Sequence, residues 1–507
     1  MKYLLGIDIG TSGTKTVLFD TTGNVVASST KEYPLYTPQN GWAEQDPMDW
    51  WHATIETLKE VITLSKVDSE DIAGIGLSGQ MHGLVMLDEK GQVIRNAIIW
   101  CDQRTSKQCE EINRLVGKER HIEIAANPPL TGFTASKILW VRENEKENYD
   151  RCKHILLPKD FIRYKLTGVF ATEVSDASGM GLLDVEKRCW SDEILEKLSI
   201  DKGLLGKVYE SQEVTGTVTE EVALLTHLKT GTIVVGGAGD NAAAAVGTGV
   251  VSDGKAFVTI GTSGVVFAHT SKINIDPKGR VHTFCAAVPG EWHVMGVTQA
   301  AGLSLRWFKE QMCEEIKVQA DKEGLDVYEK MTSMADQSPI GAHKLLYLPY
   351  LNGERTPHLD PDCRGVFFGM SSVHTKADFI RAVMEGVTYS LKDCLGIILE
   401  MGYTVDEMMA CGGGGKSLFW RQMLSDNFEC KVQTLTSDEG PALGVAILAG
   451  VGAGVFSSVE EACSQVIQKK SQQDPASENT KVYEKYYKAY QSLYRTLKES
   501  FKELSEL

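Results

Sequence analysis

The pentapeptide Ile-Gly-Thr-Ser-Gly occurs twice in this chain, at 9–13 and again at 260–264. Each copy lies between two short apolar runs rich in β-branched residues, YLLGIDIGTSGTKTVLFD from Tyr3 to Asp20 and AFVTIGTSGVVFA from Ala256 to Ala268. That is the pattern of a strand, a tight turn and a returning strand. Glycines in such a turn allow positive φ and leave backbone N–H groups uncovered, while Thr11, Ser12, Thr262 and Ser263 add hydroxyl donors. Successive bare N–H groups form a concavity for phosphate oxygens. One copy alone reads as an ordinary hairpin. Two copies, half a chain apart, imply an internally duplicated fold whose two loops face one ligand. Asp8, at the end of the strand that enters the first turn, is placed to hold a divalent cation beside it.

A chain of 507 residues has room for roughly two to four domains of about 150 residues. Its net charge of −16 argues against nucleic acid and anionic membranes as partners, since both require basic patches. An anionic ligand would then need local donors, which the two turns supply. Eleven cysteines are scattered without a C-x-x-C pair, so neither a zinc site nor a disulfide framework is expected, and a reducing, cytoplasmic location fits. Asp8 interrupts the first apolar run in a way a signal-peptide core would not tolerate. The longest weakly apolar stretch, Ala446 to Phe456, is short and cut by glycines, which excludes a span of membrane there.

After the first hairpin the pattern predicts a third strand over 25–30, a helix entered at Asp46-Pro47, and a strand over 72–78. The local order is therefore β-β-β-α-β. NAIIWCDQRT, 96–105, reads as a strand leading into a helix, and 110–230 as a mainly helical insertion on the first lobe. GTIVVGGAGDNAAAAVGTG, 231–249, is a strand running into an alanine-rich helix, and the pattern restarts at Gly254. This divides the chain into 1–248 and 249–507. In the second part a long helix is expected over 376–401, a strand, glycine turn and helix over 408–424, and a small-residue helix from Pro441. The tail places Tyr483, Tyr486, Tyr490, Leu493, Tyr494, Leu497 and Phe501 on one helical stripe, a docking face onto the protein's own body.

Asp240 follows the run Ile233 to Gly239 and precedes the alanine-rich helix, at the strand edge where α/β sheets gather their ligands. A carboxylate there, ringed by glycine and alanine, is a candidate general base; a helix cap is its structural alternative. Met81, His82 and Trp100 end neighbouring strands and suit a sugar: a thioether and an aromatic face for C–H groups, an imidazole for hydroxyls. Core packing competes with that assignment for Trp100. Gly412 to Gly415, followed by Lys416-Ser417, comes near a P-loop, but Ala410 stands where that motif requires its first glycine. A glycine turn at a helix start that admits a flat base or ribose is preferred, against a tight turn with no ligand.

With these residues in place, the chain resembles the FGGY carbohydrate kinases, nearest to those that act on xylulose. GFTASKILWVREN at 132–144 and GVFFGMSSVHTKADFIRAVME at 365–385 are similar to the two family signatures, the name-giving run being altered to VFFGM. QMHG at 80–83, LPKD at 157–160 and PYLNGERTPH at 349–358 match the xylulose-acting branch. The resemblance implies an α/β, actin-like ATPase (ribonuclease H-like) fold, duplicated in two lobes around a central cleft. It implies Asp240 as the base, with Met81, His82, Trp100 and Asn241 also contacting sugar, and Asp8 beside Mg2+. It places Thr11, Ser12, Lys15 and Thr262 toward the phosphates of ATP, and Gly302, Gly413 and Ser417 toward its base and ribose. The expected reaction is phosphoryl transfer from ATP to the terminal hydroxyl of D-xylulose; another polyol, or an ATP-driven binding module, are the alternatives. No nucleic acid or membrane partner is expected, and a homodimer is compatible with a sequence that does not define the oligomeric state.

Overall fold

The computed structural model describes residues 1–507. Strands β1 (Tyr3–Ile9) and β2 (Gly13–Asp20) pair antiparallel, with Asp8 opposite Lys15, and β3 (Val25–Glu32) continues the ladder. Helix α1 (Pro47–Ser65) starts where Asp46 accepts the Met48 N–H at 2.9 Å and proline fills the first turn. It delivers the chain to β4 (Ile72–Gly79), parallel to β1. β5 (Val214–Thr217) and β6 (Ile233–Val235) complete a mixed sheet of order β5-β6-β4-β1-β2-β3, to which Ala238–Gly239 adds a short pairing with β4. The next residue, Asp240, opens helix α2 (Asp240–Gly247).

The second lobe repeats the theme. β7 (Gly254–Ile260) and β8 (Gly264–Thr270) form the second hairpin, β9 (His282–Cys285) and β10 (Trp292–Thr298) extend it, and α3 (Gly302–Met312) follows. Helix α4 (Lys376–Glu400), held by a Thr375/Asp378 capping box, leads to β11 (Val405–Cys411), α5 (Leu418–Phe428) and β12 (Lys431–Leu435). Helix α6 (Gly440–Gly452), β13 (Lys469–Gln473) and the terminal helix α7 (Ser477–Ser505) end the chain. The second sheet runs β9-β10-β8-β7-β11-β12-β13.

Strand alternation decides what covers each sheet. Leu5, Ile7 and Ile9 point to the side packed by Trp50, Trp51, Leu58 and Val61 of α1, whereas Leu4, Val17 and Phe19 point to the other. That other face is covered by α6, a helix from the far end of the chain, through Ala442, Val445 and Ala449. Its backbone lies directly on the strands: a Cβ on Gly6 would come within 1.9 Å of the Ala442 carbonyl oxygen, and one on Gly76 within 1.9 Å of that of Val445. In return Ala245 of α2, from the first half, packs with Phe257, Phe267 and Met409 of the second sheet. The helices touch each other where a Cβ on Gly444 would lie 1.9 Å from the Ala243 carbonyl oxygen.

Two expectations are corrected in detail. The strand expected over 96–105 is confined to Ala97–Ile98, because the Asp102 carboxylate accepts the Ala43 N–H at 2.7 Å and the Arg104 N–H at 2.9 Å and bends the chain away from the ladder. The insertion expected to be mainly helical also carries short strand pairs, among them Leu183–Asp184 with Cys189–Trp190. The tyrosine stripe of α7 does dock on the second lobe, burying Tyr483, Tyr490, Leu493, Tyr494 and Phe501; Tyr487 joins them, while Tyr486 and Leu497 stay partly covered. No helix is long and apolar enough to cross a membrane.

Candidate active site

Between the lobes lies a cavity of about 710 Å³, walled by Met81, His82, Trp100, Asp240 and Asn241 on one side and by Ser263 of the second turn and the 352–361 loop on the other. The five residues expected to meet a sugar are thus brought together. Trp100 is 39% exposed, which sets core packing aside for it. Its indole N–H donates to Thr11 Oγ at 2.9 Å, tying that wall to the first IGTSG turn.

His82 adopts a left-handed backbone with φ 69° and stacks on Phe133 at 4.4 Å between ring centres. Its Nδ1–H donates to the Gly179 carbonyl at 2.7 Å, which leaves Nε2 as an acceptor for a ligand hydroxyl. Burial pushes its pKa down to about 3, so the ring is neutral at physiological pH.

Asp240 is the first residue of α2 and not its cap, a position taken by Gly239. Asp240 Oδ1 accepts from the Asn241 backbone N–H at 2.7 Å and from its amide Nδ2 at 3.0 Å, while Oδ2 has no protein partner. Burial, reinforced by the negative charge of Asp8, raises the Asp240 carboxyl to about 7. Asp8 Oδ1 is buried and makes no hydrogen bond, and burial raises that carboxyl too. An orphaned carboxylate oxygen beside a second acid is a fit place for a cation. No cluster of three or more His, Cys, Asp or Glu side chains could hold a metal. A magnesium ion here would thus rely on Asp8 together with phosphate oxygens and water.

The remaining candidates are placed less uniformly. Ser12 and Thr262 are exposed at their turns, and the Thr262 carbonyl accepts the Ala301 and Leu303 N–H groups, both at 3.1 Å. Lys15 Nζ is 2.5 Å from Glu439 Oε2, an ion pair that joins β2 to the residue capping α6. The Gly302 N–H donates to the Gly261 carbonyl at 2.8 Å, where a Cβ would come within 2.5 Å of that oxygen, so this glycine supports the second turn. Gly413 opens onto free space just after β11, next to Gly412 with φ 75°. Ser417 caps α5, accepting the Trp420 N–H at 3.2 Å, and its hydroxyl is therefore already engaged.

Sequence reasoning missed the layer beneath these groups. Gln45 and Gln80 brace the first turn: Gln45 Nε2 donates to the Thr11 carbonyl at 2.7 Å, and Gln80 Nε2 to Gln45 Oε1 at 2.8 Å. Under Asp240 and His82 lies a wholly buried ionic cluster. Lys159 Nζ reaches Asp160 at 2.7 Å and Glu173 and Asp176 at 3.2 Å each, and Arg163 meets Asp160 at 2.9 Å. Three carboxylates face two cations, and burial raises the pKa of Asp176 well above its ordinary value, against the pull of Lys159. Lys159 and Asp160 belong to LPKD, to which the sequence attached no physical role. Glu354, Arg355 and His282 were missed as well; GERTPH served as a match to the xylulose-acting branch, and only the folded chain turns that segment to the cavity.

Two lobes of one α/β design, each carrying a Gly-Thr-Ser turn, the second at the cavity through Ser263 and the first tied to its wall through Trp100, together with an Asp240 carboxyl raised to about 7, define an actin-like phosphotransferase with an alcohol acceptor. The FGGY family of carbohydrate kinases matches through its N-terminal domain at residues 3–247 and its C-terminal domain at 256–453. The chain belongs to that family. It is 42% identical over 469 residues to a xylulose kinase from Bacillus subtilis, covering 92% of each chain. Among solved structures it is similar to a xyloylose kinase from Brucella ovis, with a TM-score of 0.90, 34% identity and 98% and 99% of the two chains covered. A gluconate kinase from Lactobacillus acidophilus superposes as well, with a TM-score of 0.92 at 26% identity, covering 99% of both chains.

Proposed function

We propose that this protein transfers the γ-phosphoryl group of ATP to the terminal hydroxyl of D-xylulose, giving D-xylulose 5-phosphate. The observation that carries the reading is Asp240, a carboxylate raised to about 7 with one free oxygen, on the cavity wall that also presents the neutral acceptor His82 Nε2. Similarity to xylulose kinases selects the sugar.

An alcohol is a weak nucleophile at neutral pH, and a base with a pKa near the working pH gains roughly 10²–10⁴ in rate by accepting its proton as the new bond forms. Oδ2 of Asp240 receives that proton while Asn241 keeps the carboxylate oriented through Oδ1. His82, Met81 and Trp100 hold the sugar with its terminal hydroxyl toward Asp240. The two turns, with Thr11, Ser12 and Thr262, donate to the triphosphate, and Gly413 leaves space on the nucleotide side. Lys15 exchanges its contact with Glu439 for a phosphate oxygen. Mg2+ at Asp8 would neutralise charge on the phosphates. Because the donors come from both lobes, the lobes close over the bound sugar and exclude water from the phosphoryl group.

The test is ADP release by the purified protein across a panel of D-xylulose, ribulose, fuculose, gluconate and glycerol. The reading expects the highest kcat/KM with D-xylulose. ADP release that is indifferent to every sugar would overturn it.

A further inference from the structure

Arg355 lines the cavity from the second lobe, half-buried, and its guanidinium makes no hydrogen bond or ion pair; Glu354, its neighbour in the chain, is the charge that bears on it. Other half-buried arginines are matched: Arg95 lies 2.6 Å from Glu44, Arg188 2.7 Å from Glu210, and Arg280 3.0 Å from Asp276. A guanidinium withdrawn from water without a partner is costly.

The loop is also fixed in this arrangement. Glu354 does not turn to its neighbour's guanidinium, because its oxygens are taken. Oε1 accepts the backbone N–H groups of Gln299 and Arg355, each at 2.8 Å, and Oε2 accepts the Thr298 hydroxyl at 2.6 Å. Thr356 Oγ meets the Val297 N–H at 3.1 Å and donates to the Arg280 carbonyl at 2.8 Å, which sews the segment to β10. Arg355 shares the cavity lining with His82 and His282, both neutral, and its charge helps to keep their rings unprotonated. A donor-only fork in that place calls for an acceptor oxygen.

We infer that Arg355 is the second lobe's specificity-determining contact with the acceptor, donating to an oxygen of the sugar bound in the cavity it shares with His82 and His282. This rests on the sugar-kinase reading above and adds that the acceptor is gripped from both lobes, so that the sugar itself bridges the cleft.

The experiment compares full-length wild type with Arg355→Met and Arg355→Lys, measuring KM for sugar and for ATP, kcat, and sugar binding by calorimetry without nucleotide. Arg355→Met is expected to raise the sugar KM and Kd about 10- to 100-fold, the worth of a hydrogen bond from a charged group, with the ATP KM within about twofold. Arg355→Lys, which keeps the charge and loses the fork, is expected to fall between, and it carries the test if the methionine variant does not fold. A sugar KM within about twofold of wild type in both variants overturns the inference. So does a fall in kcat or a rise in the ATP KM at constant sugar KM, which would put Arg355 on the phosphates. If wild type prefers a polyol other than D-xylulose, the substrate reading fails by itself, and the Arg355 comparison is made with the polyol that is turned over.

Discussion

Ser175 Oγ accepts the Gly239 N–H at 3.1 Å and donates its own hydroxyl hydrogen bond to Glu173 Oε1 at 3.0 Å, so a buried carboxylate is linked through one hydroxyl to the peptide just ahead of Asp240. Ser175→Ala cuts that link while leaving the Lys159 cluster whole. Losing a hydrogen bond of this kind costs about 1 kcal/mol. The expected outcome is a kcat several-fold lower and a displaced acid limb of the kcat profile, with the sugar KM and the circular dichroism spectrum unchanged.

Asp240 sets the pH response. Its carboxyl titrates near 7, so kcat/KM is expected to rise with pH through about 7 and to level off above it, as a base that must be ionised requires. Asp240→Asn is expected to lower kcat by roughly 10²–10⁴ while both substrates still bind. The same substitution has a thermodynamic signature. A carboxyl whose folded pKa lies above its unfolded value of 3.8 costs stability progressively as pH rises from about 4 to about 7. Thermal melts should therefore show Asp240→Asn more stable than wild type at pH 8 and equal to it at pH 4.

Gly179 backs the His82 ring. A Cβ at this position would fall 2.6 Å from His82 Nδ1 and Cε1, so Gly179→Ala must displace the imidazole. Steady-state kinetics are expected to show a raised KM for the sugar and an unaltered KM for ATP. A raised ATP KM would contradict the placement of His82 in the sugar wall.

Lys15 has two claimants, Glu439 in the structure and the triphosphate in the proposed reaction. With the side chains 38% and 20% exposed, the pair is worth at most about 1 kcal/mol. Glu439→Gln should therefore lower the ATP KM by no more than about fivefold, and Lys15→Met should raise it, both read by titrating ATP at saturating sugar.

The hairpins were legible because they are local: glycine, threonine and serine between β-branched runs state a turn wherever they occur, and strand alternation fixes which face is covered. Asp240 and His82 were legible for a related reason, each following a strand that reads clearly in one dimension. Arg355 and Glu354 were not, since their use depends on a loop hydrogen-bonded to β10 more than fifty residues earlier in the chain. Lys159, Glu173 and Asp176 were hidden differently. Charged residues spread over a segment read as solvated surface, and only the fold sinks them beneath the site. The short strand at Ala97–Ile98 was overread because IIW carries a strand's composition, while the side chain that ends it, Asp102, acts through a partner at Ala43.

Helices α2 and α6 are exchanged between the halves, and this decides how the molecule can come apart. A polypeptide ending at 248 would leave the Leu4, Val17 and Phe19 side of its sheet bare, and one beginning at 249 would lose the alanine helix that shields Phe257 and Phe267. Each fragment is thus the other's missing piece, and the two are expected to be recovered only as a complementing pair. In the intact protein the same crossing brings the two helices into backbone contact, Gly444 against the Ala243 carbonyl, so no side chain larger than glycine's hydrogen fits between the halves there.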